Sequence, residues 1–163
     1  MLQATLKETV ALFRVHCERI CKCLGMLEQE QIWHDFNENL VSVGNLVLHL
    51  EGNLSQHVWS GLGGREFTRH RSLEFTDKPD IGAAELQQRL KAVINKVEEV
   101  VLNLDETALQ KEYTIQGTTY TGIGDLLHVL EHFSYHAGQI TSAVKILQNV
   151  DVGYYEDEDL EQQ

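Results

Sequence analysis

The sequence predicts an all-α protein, a four-helix bundle with a short hairpin excursion before its last helix. Three observations predict it. Apolar residues recur every three or four positions in four long segments, the repeat that lines one face of a helix. Residues that start or stop helices flank those segments: Ser42, Pro79 and Thr121 at starts, Gly25 and Gly61-Leu-Gly-Gly64 at ends. Only Tyr113-Thr-Ile-Gln-Gly-Thr-Thr-Tyr120 has the β-branched and aromatic composition of a hairpin, split by Gly117. With 163 residues the chain is expected to build one full core over residues 1–149, followed by an acidic tail over 150–163.

The first helix is expected from Leu2 to about Leu27, with Leu6, Val10, Phe13, Cys17, Ile20 and Leu24 in its buried stripe and His16 beside it. Glu28 to Leu40 reads as a polar connector whose Trp33 and Phe36 plug the end of the core, with His34 and Asp35 in a helix-end contact. Ser42 caps a second helix that runs to about Gly61 on Val43, Leu46, Val47, Leu50, Leu54 and Val58. Beside that stripe His49, Asn53 and His57 form a polar row at four-residue spacing, bordering the core. The long loop from Arg65 to Asp80 carries Arg65, Arg69, His70 and Arg71. It reads as solvated surface or as an anion clamp for a substrate carboxylate or phosphate. Pro79-Asp80 opens a third helix to about Leu104, which carries no histidine or cysteine and is read as structural. Thr121 caps the last helix, which runs to about Leu147 on Ile123, Leu126, Leu130, Phe133, Ala137, Ile140 and Val144.

Charge and composition narrow the function classes. The net charge is −12, and the tail supplies Asp151, Glu156, Asp157, Glu158, Asp159 and Glu161 with no lysine or arginine. Those six acids are half of the excess, and the tail reads as a solvated end. A nucleic-acid partner wants a concentrated basic face, which this chain lacks. No run of 18 apolar residues is present, so no membrane span is expected. The mixed, amphipathic start lacks a signal peptide's basic and apolar blocks, which points to the cytoplasm. Cys17, Cys21 and Cys23 are clustered and odd in number, a poor disulfide framework, and read as small residues in a reduced core.

The chemistry concentrates in the last helix. His128, His132 and His136 repeat every four residues. Four helical residues advance about 40° and about 6 Å, so the three imidazoles form a slanted row on one face. If the second and last helices face each other along their polar rows, His49, His132 and His136 converge, and three neutral imidazoles leave positions open for water or substrate. The pattern leaves two readings side by side: a metal site, or boundary histidines that are hydrogen-bonded or exposed. His128 competes as a ligand, since its spacing to His132 equals that of His136. Asp125 lies on the same face, placed to orient a ligand histidine or help hold the metal.

His132-Phe-Ser-Tyr-His136-Ala-Gly138-Gln139-Ile140 resembles the closing HxxxHxGQ motif of the DinB-like (YfiT-like) metalloenzyme superfamily, and Asn45-Leu-Val-Leu-His49-Leu-Glu-Gly-Asn53 resembles its upstream single-histidine motif. The phrasing is similar to that of an uncharacterised bacterial branch, and the likeness runs to about Asn149. It implies an up-down-down-up four-helix bundle and a divalent metal, zinc or nickel, on His49, His132 and His136. It moves His128 to a cleft role. From residue type, Gly138 is expected to allow close helix approach and Gln139 to bond across to a neighbouring helix.

The resemblance also implies a reaction: transfer of a low-molecular-weight thiol (bacillithiol, mycothiol or glutathione) to a small-molecule electrophile. A metal lowers the pKa of a bound thiol. Arg65, Arg69 and Arg71 would hold the thiol's carboxylates, with Asn53 and His128 lining the substrate site. The alternatives are metal-assisted hydrolysis, with Asp125 or Glu131 as base, and a non-enzymatic metal- or ligand-binding stress protein, a homodimer through an exposed helix face.

Overall fold

The computed structural model describes residues 1–156 and 158–162; Asp157 of the tail lies outside the described residues. The protein is mostly helical with one two-stranded antiparallel sheet. Four long helices form the body: α1 (Leu2–Leu24), α3 (Val43–Leu54), α5 (Ala83–Val101) and α7 (Gly122–Gln148). Shorter pieces join them: α2 (Gln29–Ile32), α4 (Leu73–Thr76), α6 (Glu106–Gln110) and strands β1 (Glu112–Ile115) and β2 (Thr118–Thr121). α1 packs against α5 and α7, and α3 packs against the same two. The apolar stripes meet between them, with Leu6, Phe13, Ile20, Leu50, Leu54, Leu90, Phe133 and Ile140 fully buried or nearly so. Phe13 and Phe133 meet edge to face with centroids 5.7 Å apart.

Capping fixes where the site-bearing helices begin. Ser42 Oγ accepts from Asn45 N–H, and Thr121 Oγ1 accepts from Gly124 N–H. Each such cap stabilises its helix by about 1 kcal/mol. The expected hairpin is present, with Glu112 paired to Thr121 and Ile115 to Thr118. Gln116 and Gly117 both take positive φ (53° and 77°), the two-residue turn that matches the twist of the strands.

Several expectations are corrected. α3 does not continue as an α-helix to Gly61. Residues Ser55–Leu62 form a π-helical segment, in which Gly63 N–H donates to Val58 O five residues back. α5 starts at Ala83, not at Pro79-Asp80, because Asp80 accepts from Gln29 Nε2 across the molecule instead of capping. The Arg65–Asp80 loop contains the one-turn α4. The tail is not solvated at its start: Val152 is buried in the core, and Tyr154 Oη lies 3.1 Å from Cys23 Sγ and 2.7 Å from Thr141 Oγ1. All three cysteines are free thiols and buried. No helix among the described residues is long and apolar enough to cross a membrane.

Candidate metal centre

α3 and α7 bring their polar rows together as their periodicity requires. One nitrogen from each of His49, His132 and His136 lies within 4.8 Å of the other two. His49 Nε2 and His132 Nε2 are 3.0 Å apart. The ring of His136 is 5.1 Å from that of His49 and 4.4 Å from that of His132, centroid to centroid. Among the described residues this is the one group of three metal-ligating side chains so placed.

The far nitrogens of two of these imidazoles are already committed. His49 Nδ1 lies 2.9 Å from Glu74 Oε2 and 3.2 Å from Arg69 Nη2. Arg69 itself donates to both Glu74 oxygens, at 2.6 and 2.7 Å. The shorter contact and the carboxylate's need for a donor assign the proton to His49 Nδ1, leaving Nε2 with a lone pair. His136 Nδ1 donates to Gln139 Oε1 at 2.6 Å, with the same result for its Nε2. Outer partners of this kind fix the ring and its tautomer for a metal. The donor set therefore fits a divalent ion that accepts imidazole nitrogen.

Electrostatics favour the neutral form of His132 and His136. Burial first, then the neighbouring imidazoles of His136, His49, His128 and His57, push His132 down to about 3. Burial also lowers His136, opposed by its bond to Gln139. At Glu74 burial pushes upward, but the hydrogen bonds from Arg69 and His49 outweigh it and hold the carboxyl below its ordinary value.

Glu74 reaches His49 because α4 is pinned against α3. Asn45 Nδ2, itself buried, donates to Glu74 O and Asp77 O at 2.9 and 2.8 Å. Gly52 makes room for the pair, since a Cβ there would collide with the Glu74 carboxylate. Arg69 Nη1 also donates to Gln56 Oε1 at 2.9 Å, and Gln116 from the hairpin turn bonds to the same oxygen.

Two clefts of unlike polarity adjoin the three histidines. A polar cleft of about 180 Å³ is lined by His49, Asn53, His57, Arg71, His128 and His132, among others. An apolar cleft of about 700 Å³ reaches His136 between Phe36, Leu40, Leu46, Phe75, Gly138 and Ile146. Phe75 stands against His49 with centroids 4.9 Å apart.

The other expected site residues divide. Asn53 is buried at the polar cleft, His128 is half-buried there with its ring stacked on Tyr120, and Arg71 is exposed at its rim. Arg65 is not at the site: it pairs with Glu99 and lies over Trp59. Arg69 lines the cleft, but its guanidinium is occupied by Glu74 and Gln56, so it is a buried strut rather than a substrate clamp. Asp125 does not orient a ligand histidine. It is fully buried and its Oδ1 accepts from His57 Nδ1 at 2.7 Å. Glu131 is exposed. Gln139 bonds to His136 and Tyr135 on its own helix, not across to another. Nothing approaches a Cβ built at Gly138, so that glycine opens the apolar cleft rather than letting helices close in. Sequence reasoning missed Glu74 and the His57–Asp125 pair.

The sequence profile of a family described as a protein of unknown function (DUF1572) matches residues 2–154. The chain belongs to the DUF1572 family. This DUF1572 protein is 29% identical over 106 residues to the uncharacterized protein YkkA of Bacillus subtilis (strain 168), a match covering 65% of the chain and 59% of that relative's length. Solved structures share its fold. A DinB-like protein (YjoA) from Bacillus subtilis superposes with TM-score 0.68 at 18% identity, over 88% of this chain and 94% of the other. One from Bacillus cereus ATCC 10987 gives 0.68 at 15%, over 90% and 94%. A mycothiol-dependent maleylpyruvate isomerase gives 0.63 at 16%, over 83% of this chain and 60% of its own.

Proposed function

We propose that this DUF1572 protein is a metal-dependent thiol S-transferase that joins a low-molecular-weight thiol to an electrophile. One observation carries the reading: the three converged histidines stand between two clefts, His49 and His132 lining the polar one and His136 the apolar one. His49, His132 and His136 would hold zinc or nickel, with open positions left by three neutral ligands. Bound there, such an ion supplies the positive charge that keeps a thiol deprotonated near neutral pH.

The chain's own residues divide the remaining work. Arg71, Asn53 and His128 line the polar side, suited to the carboxylates and amides of a thiol such as bacillithiol, mycothiol or glutathione. The apolar side suits the hydrophobic body of the electrophile and keeps water away from it. Glu74 and Gln139 hold two imidazoles in position. A mycothiol-dependent isomerase among the structures of like fold supports a thiol cosubstrate. The up-down-down-up course of the long helices and a reducing, cytoplasmic setting for three free thiols belong to the same reading.

The test is loss of a model electrophile with each of the three thiols, in protein loaded with zinc or nickel. Activity with one thiol, dependent on the metal and absent in His49→Ala, supports the reading. No consumption with any thiol defeats it. The two carboxylates considered as bases for metal-assisted hydrolysis are not placed for it: Asp125 faces His57 and Glu131 is on the surface.

A further inference from the structure

The polar cleft holds a second histidine–carboxylate pair that the metal ligands do not use. Asp125 is fully exposed to protein and not at all to solvent, and its Oδ1 takes the Nδ1 proton of His57 at 2.7 Å. Burying a carboxylate costs several kcal/mol unless a partner compensates. Here the compensation is partial, because Asp125 Oδ2 is buried with no hydrogen-bond partner among the described residues. A tie that merely fastened the π-helical segment to α7 would need no charge and would satisfy both oxygens.

His57 is the other half of the argument. Its Nδ1 proton fixes the tautomer with a bare Nε2. That Nε2 bonds to no described residue and is not among the polar atoms sealed from solvent. The ring lines the polar cleft together with His49 and His132. Around it stand His128 and Tyr120, with ring centroids 5.7 and 6.4 Å away, and Arg69 and Arg71 line the same cleft. His57 sits there because the π-helical turn carries it, and single π-helical turns gather at functional sites.

We propose that His57, oriented by Asp125, is the proton-transfer residue of the polar cleft, serving the thiol cosubstrate; this rests on the transferase reading. His57 Nε2 accepts the S–H proton, and the Asp125 carboxylate stabilises the imidazolium formed. The sulfur's freed electron pair makes the carbon–sulfur bond to the electrophile. The proton on Nε2 passes to the electrophile's carbon or to its leaving group, which restores the neutral imidazole beside the Asp125 carboxylate. His57 is a catalytic residue in this scheme, and Asp125 a positioning residue.

Zinc-loaded full-length protein supplies two tests. In ¹⁵N-histidine spectra at about pH 8, with His57 assigned by comparison with His57→Gln, the proton should be on Nδ1 and Nε2 should be bare; a proton on Nε2 overturns the proposal. In the conjugation assay His57→Gln should lose about 10²–10⁴-fold in kcat with zinc content and the thiol KM unchanged, and free imidazole should restore part of the activity of His57→Gly. Asp125→Asn should also lose kcat while keeping zinc. A kcat for folded, zinc-loaded His57→Gln within about threefold of the parent overturns the proposal. If the parent consumes no electrophile with any thiol, the transferase reading falls and the proton-transfer role falls with it, while a bare Nε2 in the spectra would still assign a base to the cleft.

Discussion

His49 Nδ1 donates to Glu74 Oε2 across 2.9 Å, from a helix to a one-turn helix 25 residues further along the chain. The carboxylate is held from behind by Arg69, so its position is set before any ion arrives. Glu74→Gln keeps the shape but weakens the acceptor and leaves Arg69 without its anion. Zinc affinity, measured by competition with a chromophoric chelator, should fall about 10–100-fold. Gly52→Ala should have a similar effect without touching an imidazole, because its Cβ displaces Glu74. Unchanged affinity in both variants would show that the outer carboxylate is irrelevant to the ligand.

Metal should bind the folded chain and not the unfolded one, since His49 and His132 are 83 residues apart in sequence. Free zinc at about 100 times its Kd should stabilise the protein by about 2.7 kcal/mol. Thermal melts with and without zinc should therefore separate for the parent and coincide for His49→Ala. Coincident melts for the parent, with no metal by elemental analysis of untagged protein, would remove the three-histidine centre.

The metal-free protein should weaken in acid. Burial and the neighbouring imidazoles lower His132 from 6.5 to about 3, so between those values the unfolded chain binds more protons than the folded one. Stability is fully present above about pH 6.5 and is lost as pH falls toward the folded value. Glu74, also lowered, adds a loss of the same sign as pH falls through its own folded value. Urea midpoints of chelator-treated protein should be lower at about pH 5 than at about pH 7, and His132→Asn should narrow the difference. Equal midpoints in the parent would contradict the burial of a neutral imidazole.

Gly138→Leu should block the apolar cleft and leave the centre intact. No atom of the described residues lies within 4 Å of a Cβ placed there, and leucine is the better helix former by about 0.8 kcal/mol. Stability and zinc content should hold while turnover of bulky apolar electrophiles drops more than that of small ones. Equal rates on both would mean that this cleft does not receive the electrophile.

The convergence of His49, His132 and His136 was legible because helical spacing is a strong geometric rule: four residues apart on α7, and beside the apolar stripe on α3. The caps Ser42 and Thr121 and the Gln116-Gly117 turn were legible for the same reason, since each is a local demand on one or two residues. Glu74 was not, because a one-turn helix inside a loop has no periodicity to read. The His57–Asp125 pair joins the two polar rows, but spacing along one helix does not say which partner a side chain takes on the other. Arg65 and Arg69 looked alike in sequence, and only their partners, Glu99 and Glu74, tell an exposed pair from a buried strut.

Gln56 Oε1 accepts from Arg69 on one side and from Gln116 of the hairpin turn on the other. The tip of the hairpin is thus connected through Gln56, Arg69 and Glu74 to the outer nitrogen of His49. A two-residue turn at the molecular surface would ordinarily be free to vary in length and composition. This one is tied inward: exchanging Gln116-Gly117 for another turn removes a bond to the oxygen that also holds Arg69, and so loosens the brace behind His49 without touching an imidazole.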